Sequence, residues 1–253
     1  MITVKTLFSG SSGNCTLITA GGRAFLIDAG VSAKRICVAL ESEGLTESDV
    51  EALFITHDHI DHVRGVAALS KKHRIPVIMN APTARACVEN GYFAPSDFAD
   101  NLTLFENDIV YSSGGADIIS FPVPHDAASP VGFRIEYEGG IVAVATDVGH
   151  ITGAIKDGFS GCRVAVIEAN HDLEMLKNGP YPRWLIERVA SPLGHLSNAD
   201  CAAFAETLAA DGAERIVLAH ISAENNTPEL AVGEVRRRIG GSVAVEAAKR
   251  EIL

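Results

Sequence analysis

No run of apolar residues approaches the length needed to cross a bilayer, so a membrane-spanning helix is not expected. Disulfide pairing is equally poorly served. The five cysteines, Cys15, Cys37, Cys87, Cys162 and Cys201, are scattered, odd in number and never spaced as Cys-x-x-Cys. This argues against a disulfide frame or a zinc ribbon and for buried thiols in a reducing compartment, most simply the cytoplasm. The opening Met1–Lys5 reads as the start of a strand, not as an export signal. Basic residues are scarce, 21 Lys and Arg against 32 Asp and Glu, and the formal charge of −11 argues against holding nucleic acid through overall charge. Internal repeats, low-complexity tracts and Pro/Ser linkers are absent too.

What the chain does have is 253 residues, 47% of them hydrophobic, enough for a substantial core. Ile2–Phe8, Asn14–Thr19 and Arg23–Ile27 read as strands, Ser32–Glu43 as an amphipathic helix and Ala52–Ile55 as a buried strand. A helix begins just beyond Asp61, followed by a strand at Pro76–Met79 and a helix at Ala81–Asn90. Short strands follow at Leu102–Phe105, Ile109–Tyr111 and Asp117–Pro122. The second half repeats the logic with strands Gly132–Tyr137, Ile141–Thr146, Arg163–Glu168 and Arg215–Leu218. Its helices are expected near Thr152–Lys156 and at Leu173–Lys177, Tyr181–Ala190, Ser197–Ala210 and Pro228–Ile239, the last capped by Thr227. Strands first, then strands alternating with helices in two comparable halves, suit an α/β chain built as a four-layer αββα sandwich in a single domain, 1–253.

The densest chemistry lies in Thr56–Gly65, where His57, Asp58, His59, Asp61 and His62 crowd into six residues after a buried strand. Neutral imidazole is the commonest metal-ligand side chain, and a carboxylate adds charge and hard oxygen. A loop built only for solubility would use Lys, Glu and Ser. Alternate residues of an extended loop point the same way, so His57 and His59 can grip one ion while Asp61 and His62 face a second. The loop Ser9–Gly13 before Asn14 serves either as a tight hairpin or as a nest of backbone N–H groups for an anion, with Ser11, Ser12 and Asn14 as candidate substrate contacts. The basic runs Lys71–Arg74 and Arg236–Arg238 read as solvated helix faces or as a local phosphate-facing surface, and His73 and His150 as surface residues.

His-x-His-x-Asp-His resembles the signature of the metallo-β-lactamase fold superfamily. In that order of motifs, His125 after Pro-Val-Pro, Asp147 in Ala-Thr-Asp-Val-Gly and His220 in Val-Leu-Ala-His complete the set, each at the end of an apolar strand. The resemblance implies two divalent metal ions, Zn²⁺ or Mn²⁺. His57, His59 and His125 would hold the first, Asp61, His62 and His220 the second, with Asp147 between them. It also implies that Asp28, closing the third strand, supports the histidine loop. Two such ions about 3.5–4 Å apart can hold a bridging hydroxide as nucleophile, with Asp61 among the catalytic residues.

A further histidine, His195, opens a helix in Gly-His-Leu-Ser-Asn and is not needed as a ligand. The phosphodiesterase branch of the superfamily carries such a histidine. By that likeness His195 touches the scissile phosphate or protonates the leaving oxygen, and Glu168 orients it. His171 is either a substrate contact or a structural hydrogen bond. The whole pattern, including Ser9–Asn14, Glu168–Asp172, Tyr181-Pro182 and His220–Asn226, is most similar to YycJ/WalJ-type exonucleases. That resemblance implies a dinuclear phosphodiesterase, a DNA exonuclease. The alternatives are a small-molecule (cyclic) phosphodiesterase, a thioesterase or lactamase, and a metal-binding regulatory module without turnover.

Overall fold

The structure, a computed structural model, describes residues 1–98, 100–106 and 109–248. The first sheet has the order β1-β2-β3-β4-β5-β6, formed by Ile2–Phe8, Cys15–Ala20, Arg23–Ile27, Val50–Phe54, Val77–Asn80 and Leu102–Phe105. β1, β2 and β3 are an antiparallel meander. β3 to β6 run parallel, so each needs a crossover. The crossovers are α1 (Ala33–Ser42), then α2 (Ile60–Val63) with α3 (Val66–His73), then α4 (Ala81–Glu89).

β7 (Val110–Ser113), β8 (Ala116–Pro122), β9 (Val131–Tyr137), β10 (Gly140–Ala145), β11 (Val164–Glu168), β12 (Arg215–Ala219) and β13 (Ala244–Ala247) make the second sheet, in the order β13-β12-β11-β10-β9-β8-β7. Glu138 and Gly139, both left-handed, close the two-residue β9–β10 hairpin. From β10 to β13 the pairing is parallel. The crossovers are α5 (Gly153–Phe159), then α6 (Leu173–Asn178), α7 (Arg183–Val189) and α8 (Asn198–Ala210), then α9 (Pro228–Ile239). Asp172, Ser197 and Thr227 cap α6, α8 and α9 through their side chains.

The chain divides into two compact units, one of Met1–Asp117 with Ala127–Pro130, the other of Ile118–Asp126 with Val131–Ala248. Each has its own core. In the first, Leu26, Leu53 and Val77 from the strands meet Ile36, Leu40 and Leu69 from the helices. In the second, Ala143, Ile167 and Leu218 meet Ile155, Phe204 and Val235. There Phe159 stands edge-on to Phe121 at 5.8 Å and to Phe204 at 5.4 Å, tying α5 and α8 to the sheet.

Most expected elements stand within two residues of their expected bounds, although α5 runs three residues past Lys156, to Phe159. The single helix expected after Asp61 is two, because Gly65 N–H leaves the helical ladder for Ala29 O at 2.7 Å. α7 starts at Arg183, not Tyr181, because Pro182 is extended (φ −64°, ψ 153°) as its N-cap. β13 was not expected; its four residues pair only along β12. Within the basic runs, Lys71 pairs with Asp97, Arg237 with Glu234 and Arg238 with Glu206. Phe159→Ala should cost about 3–5 kcal/mol, read as a lower urea midpoint with little change in slope.

Candidate metal centre

In the first unit the donors gather at the carboxyl ends of β3 and β4. Asp28 leaves β3 in the left-handed region (φ 63°), a conformation a non-glycine residue keeps only when its surroundings hold it there. Its carboxylate is buried. Oδ1 accepts the Thr56 backbone N–H at 2.8 Å and the Thr56 hydroxyl lies 2.9 Å from Oδ2. His62 Nδ1 stands 2.7 Å from Oδ2. Donation of that proton to Asp28 turns His62 Nε2 outward as a lone pair, the carboxylate–imidazole arrangement that orients metal ligands. Beside it the His57 ring lies 4.0 Å from the His62 ring and 4.7 Å from that of His59, centroid to centroid. His57 and His62 are buried, whereas His59, the N-cap of α2, and Asp61 are partly open.

The segment after β3 packs hard against this cluster, with the loop before β2 beside it: Asn14 N–H donates to Asp61 O at 2.8 Å. A Cβ on Gly30 would lie 1.6 Å from the Asp61 carbonyl oxygen, so only glycine allows that approach. Asn14 turns inward. Gly10 N–H donates to its Oδ1 at 2.9 Å, and its Nδ2 lies 3.0 Å from His62 Nε2 and 3.5 Å from Asp61 Oδ2. Ser11 and Ser12 are exposed. Asp58, the other acid of the loop, accepts the Ala128 N–H at 2.9 Å and so holds the segment 127–130.

In the second unit the donors sit at the ends of β8, β10, β11 and β12. His125 Nδ1 donates to Gly194 O at 2.9 Å, and its Nε2 lies 3.7 Å from Asp147 Oδ1. Asp147 (φ 58°) and His220 (φ 51°) are again left-handed. The fully buried Glu168 joins the rest. Its Oε1 lies 2.9 Å from His195 Nδ1 and 2.7 Å from His220 Nδ1, and its Oε2 accepts the backbone N–H groups of Val148 (2.7 Å) and Leu196 (3.0 Å). Asp147, Glu168, His195 and His220 each offer a donor atom within 4.8 Å of the others. Burial alone would raise the Glu168 pKa. The charges and hydrogen bonds of His195 and His220 outweigh it and draw the carboxyl below its usual range. For His195, burial acts downward, but the Glu168 carboxylate and then Asp147 prevail and the imidazole is held above its ordinary value.

The His195 backbone N–H donates to Val189 O at 2.9 Å, and a Cβ on Gly194 would meet that same oxygen at 2.2 Å, so position 194 requires glycine. His171 is buried. Its backbone oxygen accepts from Asn198, its Nδ1 has no hydrogen bond among the described residues, and burial lowers its pKa. Three contributors escaped the sequence reading. Thr56 links Asp28 to the loop, Asn170 Nδ2 donates to His220 O at 2.9 Å, and Asn226 Nδ2 donates to the Ala169 and Asn198 oxygens. Their sequence signal is weak, since a Thr or Asn near a strand end is equally common in turns.

Buried or partly open imidazoles turned by carboxylates on their far nitrogens, with further carboxylates beside them, are the donor chemistry a divalent cation requires. Fold and donors define a metal-dependent hydrolase of α/β class. The metallo-beta-lactamase superfamily model matches residues 9–220, and the chain belongs to that family. It is 34% identical over 227 residues to the exodeoxyribonuclease YycJ of Bacillus anthracis, covering 90% of this chain and 85% of that protein. It is 35% identical over 225 residues to the exodeoxyribonuclease WalJ of Streptococcus pneumoniae serotype 2 (strain D39 / NCTC 7466), covering 89% and 83%. Among solved structures, the metallo-beta-lactamase fold protein YhfI from Bacillus subtilis matches with a TM-score of 0.73 at 14% identity, over 99% of this chain and 97% of that one. No helix among the described residues is long and apolar enough to cross a membrane.

Asparagine tolerates the left-handed backbone at position 28 but cannot accept the His62 proton as a carboxylate does. Asp28→Asn should therefore keep the fold by circular dichroism and lose about 10–100-fold in Zn²⁺ affinity, measured by titration calorimetry.

Proposed function

We propose that the protein is a dinuclear phosphodiesterase that removes nucleotides from DNA ends in the cytoplasm, its two units working as one domain over residues 1–253. The observation that carries this reading is the shared Glu168 carboxylate, which sets the non-ligand imidazole of His195 next to the donors Asp147 and His220. A thioesterase or lactamase reading leaves that pair without a task. In this reading His57, His59 and His125 hold one cation and Asp61, His62 and His220 the other. Asp147 serves both, supported by its place 3.6–3.7 Å from nitrogens of His125, His195 and His220. Bound Zn²⁺ or Mn²⁺ would bring the pKa of a water near neutrality and take up charge on the phosphate oxygens.

The chain's own groups do the rest. With Nδ1–H given to Glu168, His195 turns Nε2 toward the substrate. Its raised pKa keeps a proton there for the leaving oxygen. Ser11 and Ser12, exposed on the loop that Asn14 anchors, offer hydroxyl and backbone donors to a neighbouring phosphate. The names of the relatives, both exodeoxyribonucleases, support DNA over a small phosphodiester.

The test is metal-loaded protein on end-labelled duplex DNA and on bis-p-nitrophenyl phosphate. Release of nucleotides from the DNA is expected. Turnover of the small ester alone would move the reading to a small-molecule phosphodiesterase, and turnover of neither by metal-bound protein would leave a regulatory module. His195→Ala should retain its metal content by elemental analysis and lose about 10²–10⁴-fold in cleavage rate; undiminished cleavage would take His195 out of the mechanism.

A further inference from the structure

The first unit holds a second cluster of ligating side chains, apart from the histidine loop. It forms where α1, the short turn Glu47–Asp49 before β4 and the end of α3 meet. Cys37 comes from the middle of α1, Glu47 opens the turn and His73 is the last residue of α3. His73 Nδ1 lies 2.9 Å from Glu47 Oε1, and its Nε2 lies 3.9 Å from Cys37 Sγ. One donor atom from each residue lies within 4.8 Å of the other two. Ligands bonded at ~2.0–2.3 Å to one ion are at most about 4.6 Å apart, so the three donors stand near the spacing one ion requires.

We propose that Cys37, Glu47 and His73 form a separate site for a single thiophilic divalent cation, Zn²⁺ by preference, completed by water. The donors suit that ion: one sulfur, one imidazole nitrogen and one carboxylate oxygen, with two negative charges once the thiol is ionised. Exposure suits it too. The other four cysteines are buried in apolar surroundings, whereas Cys37 is half-open and the His73 and Glu47 side chains are 26% and 33% exposed. An ion can therefore enter from solvent and keep a water. Without one, burial and then the Glu47 charge push the Cys37 thiol upward, so a cation binding here must displace the thiol proton. The bound ion would pin α1, α3 and the turn leading into β4, the strand that ends in the histidine loop.

The test uses Co²⁺ added to the metal-stripped full chain. The proposed dinuclear set contains no sulfur donor, so a near-ultraviolet thiolate-to-cobalt charge-transfer band reports this site alone. The wild-type band should level off at the intensity of one thiolate-bound Co²⁺ per chain once all the sites are filled, and be missing in Cys37→Ser. Glu47→Gln and His73→Gln should weaken it, raising the half-saturating concentration more than about 10-fold. Zn²⁺ should also protect Cys37 from iodoacetamide in the wild type, with cleavage of phosphodiesters unchanged in Cys37→Ser. A folded wild type with no band at saturating Co²⁺, or a band of equal strength in Cys37→Ser, would overturn the proposal and leave an ion pair beside an ordinary thiol.

Discussion

A carboxylate with no access to water organises the second unit. Glu168 costs several kcal/mol to bury as an ion, and the cost is offset because two imidazoles and two backbone N–H groups all converge on it. Those four partners come from the segment after β10, the entrance to α8 and the end of β12, so satisfying one charge fixes the mutual positions of three chain segments. Asp28 does the same in the first unit, holding Thr56 and His62 from the loop that follows the neighbouring strand. In both units imidazole Nδ1 atoms are held by a buried carboxylate, which leaves the far nitrogen free of that bond.

Much of this was legible in the sequence, and the boundary has a physical cause. The histidine loop announces itself by composition, whereas His125, Asp147 and His220, each at the end of an apolar strand, are singled out only by the superfamily's order of motifs. Asp28 and Glu168 were likewise readable as strand-end acids, but nothing local indicates that Glu168 grips His220 as well as His195, since that bond spans 52 residues. Thr56, Asn170 and Asn226 bond to groups distant in the chain, which leaves no periodic trace. Cys37, Glu47 and His73 illustrate the same limit, because His73 sits inside a basic run that reads as a solvated face.

The charge balance takes its meaning from these details. Acidic residues outnumber basic ones, and Lys71, Arg237 and Arg238 are matched by acidic neighbours. At these positions the ammonium and guanidinium groups face acidic neighbours, which weakens the attraction they could offer a polyanion.

The left-handed backbone at Asp28, Asp147 and His220 carries an evolutionary consequence. Besides glycine, the residues most enriched in that conformation are asparagine, aspartate and histidine, and these three carry side chains able to bind or orient a cation. Backbone sterics therefore narrow what drift can deliver at these three places to groups that largely preserve coordinating chemistry. A lineage could retune the metal here in small steps, while an apolar replacement would have to break the fold's geometry before it could abolish the chemistry.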